Sequence, residues 1–126
     1  MNEIDRICKD LKLPRRDFFT QDWAYELPEK FRTKDWLKKY ISAYLDINYS
    51  KVEKTILMTL MLDVSNDLLT QGTDVSDELI VGVLNLLLKK HHCHFILIDY
   101  WSLEGEPLED CFALTPAVRN IKNQIR

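Results

Sequence analysis

The chain carries one dense run of side chains able to ligate a metal or act as a nucleophile, His91-His92-Cys93-His94. A structural zinc site needs four ligands, usually as two separated pairs, and the next cysteine, Cys111, is remote in sequence. Histidines also suit the C-terminal end of a helix, where the backbone dipole favours cations. The run therefore reads as a helix end with no native metal. A His92/His94 pair on one strand face could bind a metal adventitiously. A thiol nucleophile needs a base beside it and a third group to orient that base. Cys111 could meet His92 or His94 across a hairpin, but burial is the ordinary fate of such a cysteine. Asp63 and Asp67 stand at i, i+4, a spacing that suits metal or acid/base work. No Glu-x-x-His motif accompanies them, so a solvated helix face is the expectation.

Phosphate-cradling loops need several glycines close together. This chain has only Gly72, Gly82 and Gly105, which argues against mononucleotide and dinucleotide folds. Arg15-Arg16, Lys38-Lys39 and Lys89-Lys90 are scattered pairs on a chain of net charge −3, so nucleic acid is not an expected partner. No catalytic residues and no cofactor are assigned, and the chain reads as a binding protein rather than an enzyme.

Charge is unevenly distributed. Residues 1–45 hold ten Lys/Arg against eight Asp/Glu, residues 46–110 hold four against twelve, and residues 111–126 hold three and none. The acids gather in two places. One holds Asp63, Asp67, Asp74, Asp77 and Glu78, where helix caps account for several of them. The other holds Asp99, Glu104, Glu106, Glu109 and Asp110, with no Lys or Arg between them. Crowded like charges cost stability, and this second group has no capping role. Tyr100 and Trp101 lie inside it, and Tyr and Trp are enriched in binding hot spots. Asp99, Tyr100, Trp101, Glu104, Glu106, Glu109 and Asp110 are therefore the candidate partner-binding residues, and the expected partner is a basic protein.

The elements that must position these residues are mostly helical. Ile4, Ile7, Cys8 and Leu11 follow i, i+3, i+4, i+7 and predict a short helix closed by Pro14. Residues 15–32 have no sustained period but carry Phe18, Phe19, Trp23, Tyr25 and Phe31, and predict an irregular segment pinned by aromatics, with room for a helical turn near Pro28. Thr33 caps a helix bearing Trp36, Leu37, Tyr40, Ile41 and Tyr44. Ser50 and Glu53 form a capping box for a central helix over 51–71, ended by Gly72. Asp74 or Ser76 caps the next, which ends near Lys89-Lys90. Phe95 to Ile98 are β-formers, and Glu104 to Pro107 are turn residues. Residues 94–102 and 109–114 read as a C-terminal β-hairpin, with a longer helix as the competing reading. Thr115 caps a last helix, with Pro116 at its first position. The sum is a mainly α, compact helical domain of about five helices with a small hairpin, spanning 1–126 as one domain.

The hydrophobic and charged shares, 46% and 29%, are ordinary globular values. Three widely spaced cysteines imply reduced thiols. The first residues lack a signal-peptide pattern, and no apolar run approaches membrane-spanning length. A cytoplasmic location is expected, with no membrane partner.

Asp22-Trp23-Ala24-Tyr25-Glu26, and Tyr100-Trp101 followed by Phe112-Ala113-Leu114-Thr115-Pro116-Ala117-Val118-Arg119, carry a likeness to a known type. In size, acidity and lack of catalytic motifs the chain resembles the small cytosolic immunity proteins of bacterial contact-dependent inhibition and related polymorphic toxin systems. That resemblance implies a protein that binds and neutralises a cognate toxin domain, often a nuclease whose basic site carboxylates could occupy. Such proteins have many unrelated folds, so no binding residue carries over. The alternative expectation is a helical regulatory domain whose aromatics line a small-molecule pocket.

Overall fold

The computed structural model describes residues 3–14 and 23–125. Phe18, Phe19 and Asp22, singled out above, lie outside them. Seven α-helices occur among the described residues: α1 (Glu3–Leu11), α2 (Trp23–Glu26), α3 (Lys34–Tyr44), α4 (Lys51–Thr70), α5 (Glu78–Lys89), α6 (Phe95–Ser102) and α7 (Thr115–Gln124). Three short 3-10 turns stand at Glu29–Phe31, His91–Cys93 and Leu108–Asp110. There is no strand among the described residues.

Helix α4 is the axis of the fold. Its capping box forms as the sequence predicts: Glu53 N–H donates to Ser50 Oγ at 3.1 Å, and Ser50 N–H donates to Glu53 Oε1 at 2.8 Å. The helix ends where Gly72 takes φ +108°. There Gly72 N–H donates to the Leu69 carbonyl and Thr73 N–H to that of Leu68, which satisfies carbonyls the helix leaves open. Between these ends Leu57, Met58, Leu60, Met61, Leu62, Val64 and Leu68 are buried. They occupy more than one face, as a central helix requires. Helices α1, α2, α3 and α5 pack on α4, α5 also meets α3 and α7, and α6 pairs with α7. All seven helices contribute to a single buried cluster.

Two ties fix the helices around this axis. Arg6 of α1 donates to Glu53 at 2.9 Å. Arg32, only 8% exposed, donates to Asp63, to Asp67 at 2.6 Å and to the Ala24 carbonyl at 2.9 Å. Burial opposes the Arg32 charge, but its bond to Asp67 and the nearby charges of Asp63 and Asp67 outweigh that and hold its pKa above the ordinary value. Burial pushes the Asp63 carboxyl up, against the pull of Arg32. Asp63 and Asp67 are thus a helix face clamped by a buried cation rather than a solvated one.

The C-terminal hairpin does not form. Residues 95–102 are helix α6, and residues 109–114 hold the end of a 3-10 turn and irregular chain. The reason is visible in the burial pattern. His94, Leu97, Ile98 and Trp101 are buried, and they fall at i, i+3, i+4, i+7, one face of a helix. His94 completes that face, and an apolar count omits it. Two caps also move. Asp77, not Asp74 or Ser76, caps α5 by accepting from Leu79 N–H at 3.0 Å. Leu114 stands at the cap of α7, with Thr115 inside the helix.

Candidate functional site

Helix α6 turns adjacent residues in opposite directions. Trp101 faces the core at 1% exposure, whereas Tyr100 faces out at 47%. Trp101 is therefore not a surface anchor, and it offers a partner no area in this fold. Its place at the surface is taken by residues from elsewhere in the chain. The ring of Phe112 stacks on Tyr100 at 5.8 Å between centroids, and the ring of Tyr25 lies 6.5 Å from that of Tyr100. Tyr25, Leu108 and Phe112 are exposed along with Tyr100. Trp101 lies beneath, 4.8 Å from Phe112 and 5.2 Å from Tyr100.

The acids border this aromatic array. Helix α6 ends on Leu103, which takes the left-handed conformation at φ 42°, a setting that costs a non-glycine residue about 1 kcal/mol or more. Arg119 of α7 holds that end in place. Its guanidinium donates to the carbonyls of Ser102 at 2.6 Å, Leu103 at 2.5 Å and Glu106 at 2.8 Å. The acidic loop is thereby pinned through its backbone, and its side chains point to solvent. Glu104, Glu106, Glu109 and Asp110 are all exposed.

Two of the five acids have a cation. Lys122 of α7 donates to Asp99 at 3.0 Å and to Glu104 at 3.3 Å. Bonding to Asp99 raises the Lys122 pKa, against its own slight desolvation. Glu106, Glu109 and Asp110 form no ion pair among the described residues. The fold thus keeps three carboxylates uncompensated beside exposed aromatic rings. Tyr25, Leu108 and Phe112 were not among the sequence candidates. Leu108 and Phe112 lie within or beside the acidic stretch and could have been added by proximity, but nothing local points to Tyr25.

The histidine run takes a different form from the strand face considered above. His91 to Cys93 make a 3-10 turn. His91 Nδ1 lies 2.8 Å from the Leu88 carbonyl, and buried His94 places Nε2 2.8 Å from the Tyr44 hydroxyl. No group of three or more metal-ligating side chains is assembled among the described residues. Without the hairpin, Cys111 is not carried to His92 or His94. Its thiol donates to the Pro107 carbonyl at 3.2 Å instead.

Comparison with known proteins identifies no relative: no family model, no curated protein and no solved structure matches the chain. Among the described residues no helix is long and apolar enough to cross a membrane.

Proposed function

We propose that the protein is a cytoplasmic binding protein that neutralises a bacterial toxin domain, an immunity protein, by covering a basic site with its acidic and aromatic surface. The observation that carries this reading is the exposed array Tyr25–Tyr100–Phe112 together with the exposed acids Glu106, Glu109 and Asp110 in the stretch that leads to Phe112. Aromatic rings left at the surface in a contiguous group mark interaction sites far more often than isolated apolar residues do. Carboxylates without internal cations select a basic partner and speed its encounter. The resemblance in size, acidity and absent catalytic motifs supports the same reading.

The anchors in this proposal are Tyr100 and Phe112, supported by Tyr25, while Trp101 backs them from the core. Asp99 and Glu104 contribute less, because Lys122 already offsets them. The test begins with recovery of a stoichiometric partner on the tagged protein. The partner's own activity, such as plasmid cleavage if it is a nuclease, is then measured with and without one equivalent of the protein. Inhibition is expected. Phe112→Ala and Tyr100→Ala should each speed dissociation and cost about 2 kcal/mol or more if they are hot spots. A partner that keeps full activity when saturated, or that binds both variants as tightly as the parent, would overturn the proposal.

A further inference from the structure

A second surface lies where the end of α3, the first turn of α4 and the end of α5 meet, in a recess of about 450 Å³. Within residues 46–110 there are only four basic side chains, Lys51, Lys54, Lys89 and Lys90, against twelve acids. All four line this recess, and among the described residues no Asp or Glu does. None of the four forms an ion pair among the described residues. Lys54 only places its ammonium 5.7 Å from the centre of the Tyr44 ring.

Half of this arrangement has a structural explanation and half does not. Lys89 and Lys90 end α5, where the helix dipole favours cations. Lys51 and Lys54 begin α4, where the same dipole disfavours them. They sit three residues apart on one side of the helix. Glu53, the acid of that turn, is buried and bonded to Arg6 and Ser50 instead. Four cations from two distant stretches therefore converge with no ion-pair partner among the described residues.

A buried histidine stands in the wall of the recess. His94 is 2% exposed and lines the recess. Burial, and then the charge of His92, lower its pKa to about 4, so the ring is neutral. Burial pushes the Tyr44 hydroxyl up to about 12, so it keeps its proton and donates to Nε2 across 2.8 Å. The single ring proton then sits on Nδ1, which is buried without a hydrogen-bond partner.

We infer that this recess binds a small soluble ligand carrying two adjacent phosphate groups, held between the Lys51/Lys54 pair of α4 and the Lys89/Lys90 pair of α5. Lysine ammonium groups serve phosphates as point charges, and two pairs on two helices match two anionic centres. The volume falls within the usual range for small-molecule sites. The inference is independent of the acidic surface on α6 and α7.

The test uses the full chain with inorganic pyrophosphate as probe, titrated by calorimetry against sulfate at matched ionic strength. Pyrophosphate should bind one to one and roughly tenfold or more tighter than sulfate, because paired charge-assisted contacts outweigh simple screening. The combined variant Lys54→Gln with Lys90→Gln should lose about tenfold or more of that affinity through the same contacts. Cys93 lines the recess and is exposed, so its alkylation rate on the parent protein, followed by mass spectrometry, gives a readout that needs no variant. Pyrophosphate should slow that alkylation and sulfate should not. Equal affinity for the two anions, an undiminished affinity in the variant, or unprotected Cys93 would overturn the site. So would capture by vesicles containing phosphatidylinositol bisphosphate, or by a single-stranded oligonucleotide, without any binding of pyrophosphate.

Discussion

Five carboxylates lie between Asp63 and Glu78, and five between Asp99 and Asp110. The fold uses most of the first group internally. Asp63 and Asp67 hold Arg32, Asp77 caps α5 and pairs with Lys34 at 2.8 Å, and Asp74 accepts from Ser76. In the second group Lys122 meets Asp99 and Glu104, and Glu106, Glu109 and Asp110 form no ion pair among the described residues. The remaining three face solvent next to Tyr100 and Phe112. Equal acid density therefore says little about role. What separates the two regions is whether a cation or an open helix end stands opposite the carboxylates.

That contrast can be broken most forcefully at Arg32. Arg32→Ala leaves Asp63 and Asp67 facing each other in a partly buried setting, and should cost about 3–5 kcal/mol in urea unfolding. Removing Glu109 should leave the unfolding curve unchanged. Comparable losses from the two substitutions would erase the distinction. Arg119→Ala should cost less, about 1–3 kcal/mol, because three carbonyls at the end of α6 lose a charged donor. Amide exchange at residues 103–107 should accelerate in that variant, and partner affinity should fall with it. Exchange unchanged from the parent would show that the loop is held by other means.

Acid unfolding probes the capping acids of the first region. Bonding to Lys34 holds the Asp77 carboxyl below its ordinary range, as bonding to Ser76 does for Asp74. A carboxylate lowered in the folded state stabilises the protein fully above its ordinary pKa, and loses that contribution as pH falls through its folded value. Stability should therefore decline as pH drops below about 4, the ordinary carboxylate range, and Asp77→Asn should remove part of that decline. An unchanged acid limb would deny Asp77 its role. The smallest effect should come from Lys122→Ala. The melting temperature should stay the same, because the bond ends on an exposed carboxylate, while the freed Asp99 should raise the association rate with a basic partner at low salt. A slower association would mean that Lys122 itself touches the partner.

How much of this was readable in advance follows from where each signal lies along the chain. Helix α4 was legible from end to end, because Ser50, Glu53 and Gly72 are local signals for its two termini. Helix α6 was misread because Phe95 to Ile98 are β-formers by type, while the residue that reveals the helical period, His94, is polar. With the period went the orientation of two neighbours, so Tyr100 was placed at the surface and Trp101 was wrongly placed beside it. The acidic stretch was legible because it is contiguous. Lys122 and Arg119, which organise it, lie on another helix. The lysine recess was not legible at all. Lys51 and Lys54 are separated from Lys89 and Lys90 by most of two helices, and only the packing of α4 against α5 brings them together.

The central claim is that the acids beside Tyr100 and Phe112 dock a basic partner, whereas equally exposed acids elsewhere do not. The direct measurement is the association rate with the recovered partner as a function of salt, for the double reversal Glu109→Lys with Asp110→Lys and for the control Glu29→Lys with Glu78→Lys. All four positions are exposed. The first pair should slow association by roughly tenfold or more at low salt and flatten its salt dependence, while the control should stay within about threefold of the parent. Equal slowing by both pairs, or faster association after reversal at Glu109 and Asp110, would contradict the assignment of this surface.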